Sequence, residues 1–303
     1  MRIVRSIDDY EADADLLLTI GVFDGVHIGH RAVLSQLVGL RRENTIAGAL
    51  TFEHHPQEFL QPGQAPKCLT TLDEKINLLA GCDLDVLFLL PFDERIASIP
   101  AETFLTDTLY DQLRTRALTV GPEWRFGKGR EGGVALAERV LTEKGCAFNA
   151  APLLERDGEK VSSSRIRSLI SERRFDQADA LLGSPYRVRG LVTTGAGRGH
   201  ELGFPTANLH HAADKLIPPS GVYATVAELA GKHHASVTSI GDKPTFGGSE
   251  LTVETYIVDF SGSIYGDQLT LSRWRFLREQ QRFAGPNELV AQMHRDVQLA
   301  AGL

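Results

Sequence analysis

The sequence predicts an α/β domain followed by a small antiparallel β-barrel that ends in a helix. Three observations carry this. Up to about residue 180, apolar β-rich segments at 16–22, 46–52, 85–91, 117–121 and 147–153 alternate with stretches of helical spacing at 28–41, 72–80, 101–113 and 133–144. Strands that are apolar throughout and separated by helices read as a parallel sheet with both faces covered. Beyond Gly183-Ser184-Pro185 the texture changes to short β-rich runs at 186–193, 222–228, 235–240, 252–260 and 268–276, parted by glycine and proline turns. That is the pattern of a barrel. Two helices, 163–171 and 175–182, precede the change. A last helix at 286–299 has Pro286 in its first turn and Leu289, Met293 and Val297 on one face. The boundary is expected at 183–186, giving domains 1–183 and 184–303. No internal repeat or low-complexity tract is visible.

The 303 residues suit two domains at about 150 residues each. Hydrophobic residues at 42% and charged residues at 23% exclude a wholly disordered chain. The longest apolar run, 86–92, is interrupted by Pro91. A spanning helix needs about 20 residues, so no membrane partner is expected. Asp8, Asp9, Glu11, Asp13 and Asp15 precede the first apolar run, unlike a secretory signal, and a cytoplasmic location is expected. Cys68, Cys82 and Cys146 form no C-x-x-C pair and are expected to be free, mostly buried thiols. The net charge of −7 speaks against a nucleic-acid partner, which basic surface would attract. It does not exclude small anions, because a few local donors hold a phosphate on an acidic protein. The 29 glycines cluster at 21–29, 127–133, 195–203 and 241–248, as loops that approach ligands do. Oligomeric state is not legible.

The segment Gly21-Val22-Phe23-Asp24-Gly25-Val26-His27-Ile28-Gly29-His30 leaves the first strand and enters the first helix. A new helix offers free N–H groups and a positive dipole end, which suit a phosphate. His27 and His30, three apart, project from one face of a helical turn and can donate to charge that builds up at phosphorus. Zinc ligation and a solvated helix start are the rival readings of this pair. Ser162-Ser163-Ser164-Arg165-Ile166-Arg167 reads either as a capped helix with a surface arginine or as a phosphate contact through Arg167. In the second part, Thr194-Gly195-Ala196-Gly197-Arg198-Gly199-His200-Glu201-Leu202-Gly203 lacks the Gly-Lys-Ser/Thr of a Walker loop. Its glycines can wrap a nucleotide or merely connect a hairpin. Thr206 and Asn208 offer neutral oxygens two residues apart, suitable for Mg²⁺. Glu254 shares a strand face with Tyr256, Val258 and Phe260. It reads as a base beside a pocket or as a solvated strand-end glutamate.

The whole G-x-F-D-G-x-H-x-G-H string resembles the prokaryotic bifunctional riboflavin kinase/FAD synthetase family. Gly203-Phe204-Pro205-Thr206-Ala207-Asn208 resembles the riboflavin kinase signature of the same family. The likeness runs from about Thr19 to about Asp296. It implies a nucleotidylyltransferase-type (Rossmann-like) N-terminal domain, and a C-terminal antiparallel β-barrel riboflavin kinase domain with a terminal helix. It further implies that riboflavin is phosphorylated to FMN and FMN adenylylated to FAD, with ATP as co-substrate and Mg²⁺ as cofactor. The roles it implies in the first domain are catalytic for His27, His30 and Arg167. Nucleotide binding falls to Gly21, Phe23, Asp24, Gly29, Ser163 and Ser164, and flavin binding to Phe52, Pro56 and Phe59. In the second domain Glu254 is the implied base and Thr206 and Asn208 the metal ligands. Gly195, Gly197, Gly199, Gly203 and Pro205 hold nucleotide, and Arg278 and Phe283 hold flavin. Four positions depart from the pattern: His54 for proline, Glu123 for a shorter Asp or Asn, Trp124 for Phe and Gln280 for Glu. Because Glu123 and His54 both fall in the adenylyl domain, a kinase with weak or lost adenylyltransferase activity is one alternative. A flavin-binding regulator without turnover is the other.

Overall fold

The structure is a computed structural model that describes residues 1–194, 204–245 and 248–302. It divides into two compact units, Met1–Ser163 and Ser164–Leu303.

The first unit is built on six parallel strands: β1 (Arg2–Val4), β2 (Asp15–Ile20), β3 (Thr45–Phe52), β4 (Val86–Leu90), β5 (Thr115–Val120) and β6 (Ala147–Ala150). They lie in the order β1-β4-β3-β2-β5-β6. One face packs Leu16, Leu18, Leu50, Phe88 and Leu118. The other packs Leu17, Ala47, Leu87 and Ala117 against Leu34 and Leu37 of helix α1 (Ile28–Val38) and Leu79 of α2 (Leu72–Ala80). Both faces are dry, so the strands read as unbroken apolar runs rather than alternating ones. The chain moves outward from β2 through β3 to β4, then returns to β5 on the opposite side of β2. The order reverses there, and open α/β sheets bind ligands beyond the strand ends at such a point. Sequence reading missed β1, because only Val4 of its three residues is buried and no period shows. The expected helix at 101–113 is not α-helical throughout: α3 (Phe104–Gln112) is a π-helix, with the Leu113 N–H donating to the Thr108 carbonyl 3.0 Å away. Helix α4 (Val134–Glu143) follows as expected. Only Cys146 is buried; Cys68 and Cys82 are half-buried, which corrects the expectation of mostly buried thiols.

The second unit begins with α5 (Ser163–Ser171) and α6 (Phe175–Leu182). Six antiparallel strands then close a barrel: β7 (Val188–Thr193), β8 (Thr206–His211), β9 (Gly221–Leu229), β10 (Lys232–Thr245), β11 (Gly248–Ile257) and β12 (Gln268–Arg278), in the order β7-β8-β11-β10-β9-β12. Strand β8 was legible only as a ligand loop, since its burial alternates weakly. Inside the barrel, the buried hydroxyls of Thr225, Ser236, Thr238 and Thr255 bond to one another at 2.7, 2.7 and 3.0 Å. Each buried polar group in this row therefore has a partner. Glu254 and Tyr256 alternate with the buried Val253, Thr255 and Ile257. They face outward, toward the side that α7 (Pro286–Ala300) covers.

The division between units falls before the composition change at 183. Phe175 of α6 explains this: its ring lies 5.9 Å from Tyr223 and 6.2 Å from Trp274 of the barrel wall. A fragment starting at Ser164 should therefore be more stable than one starting at Ser184. Losing α6 should cost at least what truncating one core phenylalanine costs, about 3–5 kcal/mol. Thermal unfolding of the two fragments checks this, and equal midpoints would contradict it.

Candidate functional site

The turn after β2 must reverse the chain onto the sheet, and it does so with Phe23, Gly25 and Val26 at φ 51°, 80° and 37°. Several contacts hold it. The Asp24 carboxylate accepts the Leu69 N–H at 2.9 Å and the Thr70 N–H at 3.1 Å. The Ser163 hydroxyl donates to the Asp24 carbonyl at 2.9 Å, which brings the serine motif to the glycine turn. The Thr51 hydroxyl donates to the Val22 carbonyl at 3.1 Å.

His27 caps α1: its Nδ1 accepts the His30 N–H at 3.2 Å. That bond uses the Nδ1 lone pair. The two rings stack 3.6 Å apart at 13°. A Cβ on Gly29 would stand 3.2 Å from the His27 ring, so glycine makes room for the stack. His27 is only 5% exposed, which removes the solvated helix-start reading for it. No group of three His, Cys, Asp or Glu among the described residues could hold a metal ion. Burial, and then the neighbouring His27, hold His30 well below the usual histidine range. Its Nδ1 is buried with no hydrogen-bond partner among the described residues.

At the C-terminal ends of the strands lies a cavity of about 370 Å³. Gly21 lines it, as do Phe52 and Pro56. Phe59 does not; it is 40% exposed and packs on Phe92, 6.0 Å between ring centres. Sequence reasoning missed most of the wall: Phe92, Ile96, Ile99 and Phe104 come from segments that carry no motif. Trp124 and Phe126 also line it, stacked 4.1 Å apart at 18°, so the Trp124 departure enlarges an aromatic platform. The turn beyond them requires Gly127, at φ 73°, where a Cβ would come within 2.6 Å of the Ala101 Cα. Glu123 pairs with Lys160 and does not line this cavity. His54 is exposed and lies 3.5 Å from Glu58.

Ser164 and Arg167 lie on α5, the first exposed and the second half-buried. Gly195, Gly197, Gly199, Gly203 and Phe246 lie outside the described residues, and Pro205 is exposed just before β8. Strand register pairs Thr206 with Tyr256 and Asn208 with Glu254, which puts all four on one face. A cavity of about 320 Å³ on that face is lined by Thr206, Glu254, Tyr256, Arg278, Phe283 and Met293; Asn208 is not in its wall. Arg278 is locked to Asp296, with Nη2 at 2.8 Å and Nε at 3.1 Å from Oδ2. Asp296 is 2% exposed and was missed, because the apolar stripe of α7 hides a single acid beside it. The Arg278 guanidinium lies 5.8 Å from the Phe283 ring centre. Gln280 donates from Nε2 to Ser239 Oγ at 2.8 Å and to the Ile240 carbonyl at 3.1 Å. A glutamate could not donate to that carbonyl, so the substitution changes what closes this edge of the barrel.

Residues 9–165 match the FAD synthetase family and residues 182–303 the riboflavin kinase family. A bifunctional riboflavin kinase/FMN adenylyltransferase of Escherichia coli K12 is 35% identical over 300 residues, covering 98% of this chain and 96% of its own. Proteins of the same name from Pseudomonas fluorescens and Bacillus subtilis are each 33% identical, over 306 and 295 residues, and cover 100% and 96% of this chain and 98% and 93% of their own. A crystal structure from Streptococcus pneumoniae, described as a macrolide-efflux protein, matches with a TM-score of 0.89 and 26% identity, covering 99% of this chain and 98% of that one. Among the described residues of this chain, no helix is long and apolar enough to cross a membrane.

The half-buried His30, with its Nδ1 out of reach of solvent, makes a stability prediction. Its folded pKa lies below 6.5, so in acid the unfolded chain binds the proton first and stability falls as pH drops below about 6.5. The contribution approaches about 1.4 kcal/mol per pH unit in that window. Urea unfolding at pH 7.5 and 5.5 should show a smaller acid loss for His30→Gln than for the wild type. An equal loss would mean that His30 is protonated in the fold.

Proposed function

The chain belongs to the bifunctional riboflavin kinase/FMN adenylyltransferase family, and we propose that each of its two reactions is run by one of the clusters described above. The enzyme phosphorylates riboflavin to FMN and adenylylates FMN to FAD, using ATP in both steps.

Adenylyl transfer is assigned to the turn Gly21–His30. The single observation that carries this is the stacked His27–His30 pair on a turn whose first residue, Gly21, lines an aromatic cavity. The cavity takes the flavin ring on Phe52, Pro56 and the Trp124–Phe126 stack, with Phe59 supporting from behind Phe92. Gly21, Phe23, Asp24 and Gly29 shape the turn that meets the phosphates of ATP, and Ser163 braces it. An FMN phosphate oxygen attacks the α-phosphorus of ATP in line, and pyrophosphate leaves. The neutral imidazoles donate hydrogen bonds to the charge that accumulates, without a covalent enzyme intermediate. Arg167 adds a forked contact to phosphate oxygens, and Ser164 a hydroxyl.

Riboflavin phosphorylation is assigned to the outer face of the barrel under α7. Glu254 takes the proton of the ribityl 5′-hydroxyl as its oxygen attacks the γ-phosphorus of ATP and ADP leaves. Arg278, held flat by Asp296, and Phe283 offer a platform for the flavin ring. Gly195, Gly197, Gly199, Gly203 and Pro205 form the nucleotide loop in this reading. Thr206 and Asn208 share a face and present neutral oxygens that suit Mg²⁺, which when bound would neutralise phosphate charge. Use of ATP and the cysteine pattern favour the cytoplasm, and the net charge of −7 favours small-molecule partners over nucleic acid.

His30→Ala should lower FMN adenylylation about 10²–10³-fold and leave riboflavin phosphorylation near the wild-type rate. Equal loss of both would instead report a fold defect. Glu254→Gln should lower FMN formation about 10²–10⁴-fold while supplied FMN is still converted to FAD. A near wild-type kinase rate would remove Glu254 as the base. Asn208→Ala should recover part of its kinase loss at raised Mg²⁺, which Glu254→Gln should not. Chromatography of flavins after incubation with ATP and Mg²⁺ reads all three.

A further inference from the structure

Two arginines, Arg125 and Arg130, are among the residues that line the aromatic cavity of the first unit, and both are exposed. Most other arginines of this unit are tied to carboxylates or carbonyls, as Arg5, Arg41, Arg95, Arg114 and Arg139 are. Neither Arg125 nor Arg130 has a side-chain hydrogen bond or ion-pair partner among the described residues. The backbone fixes where both start. Arg125 sits on a two-residue strand paired with Gly132–Gly133, and a Cβ on Gly133 would come within 3.0 Å of its Nη1. Arg130 is held at φ 61°, a left-handed conformation that costs a residue with a Cβ. Its turn is pinned from both sides. The Lys128 N–H donates to the Ile99 carbonyl at 2.8 Å, and the Ala101 N–H donates to Glu131 Oε1 at 2.9 Å. A strained turn at the edge of a cavity, carrying an arginine with no partner among the described residues, suits a ligand anion.

We propose that Arg125 and Arg130 hold the phosphate of FMN in the aromatic cavity and thereby make the adenylyltransferase site select FMN over riboflavin. This rests on the reading of that cavity as the flavin site. The two flavins differ only in the terminal phosphate, so an apolar ring pocket alone cannot tell them apart. A guanidinium fork matches phosphate oxygens two at a time, and its bonds are charge-assisted. The same chemistry would suit a phosphate of ATP. The arginines share their cavity with Phe52, Trp124 and Phe126, which favours the phosphate joined to the ring.

The test is steady-state FAD formation from FMN and ATP by the full chain, with lumiflavin, the ring without ribityl phosphate, as competitive inhibitor. Arg130→Gly fits the left-handed turn and removes the guanidinium; Arg125→Gln removes the other. Each should raise KM for FMN about tenfold or more. KM for ATP and the lumiflavin inhibition constant should stay unchanged, and Arg125→Lys should recover part of the loss. A rise in KM for ATP alone would overturn the proposal in favour of a nucleotide contact. No change in either KM would also overturn it, and Trp124→Ala then separates the causes. If that variant weakens lumiflavin inhibition, the cavity is the flavin site and only the phosphate assignment fails. If it does not, the flavin reading fails with it.

Discussion

Everything at the first site follows from one constraint: the chain must leave β2 and enter α1 through a turn that the sheet itself leaves little room for. Three residues of that turn take positive φ, and two of them, Phe23 and Val26, carry side chains that are buried in the core beneath. The strain is held by apolar burial and by the Asp24 carboxylate gripping the Leu69 and Thr70 amides. Once the turn is set, His27 can reach back to cap α1 through Nδ1, and that bond orients its ring for the stack on His30. In the proposed mechanism the imidazole that caps α1 also serves catalysis. A substitution that loosened the Asp24 contacts would misplace both histidines without touching either.

The chemistry suits this rigidity. Displacement at phosphorus needs no protein nucleophile, and donors fixed before the reaction do not have to reorganise during it. A neutral, desolvated imidazole is such a donor, and burial keeps His30 neutral at the pH where ATP is fully charged. The opposite face of the same end of the sheet is apolar and aromatic. The cavity takes in Gly21 of the turn and an aromatic wall, the combination that the proposed flavin nucleotide site calls for.

In the second unit the barrel interior is closed by its own hydroxyl row, which is why the proposed kinase site uses the outer face. A strand face that looks outward needs a cover, and α7 supplies it. The Arg278–Asp296 pair ties helix to barrel at the rim of the cavity. Its carboxylate is buried, and removing either partner would leave an uncompensated charge, so the pair fixes where the helix sits. Both partners of this clamp are also among the residues that line the cavity.

Much of this was legible in the residues alone. Unbroken apolar strands alternating with helical spacing meant a parallel sheet, because only a sheet buried on both faces has that composition. Glycine-rich turns between short strands meant a barrel. The histidine pair and the strand face of Glu254 were also readable, since both depend on local periods of 3.6 and 2. What the sequence did not contain was any relation between distant segments. Phe92, Ile99, Phe104 and Arg130 share a cavity only because β4, β5 and the loops after them converge at one end of the sheet. Asp296 matters only because α7 lays it on Arg278. Strand β8 looked like loop, and helix α6 belongs with the barrel through Phe175, because burial there is set by partners that come many residues later. Local periodicity determines elements and their faces. Which faces meet, and which side chains then lie within reach of one another, is decided by packing between residues far apart in the chain.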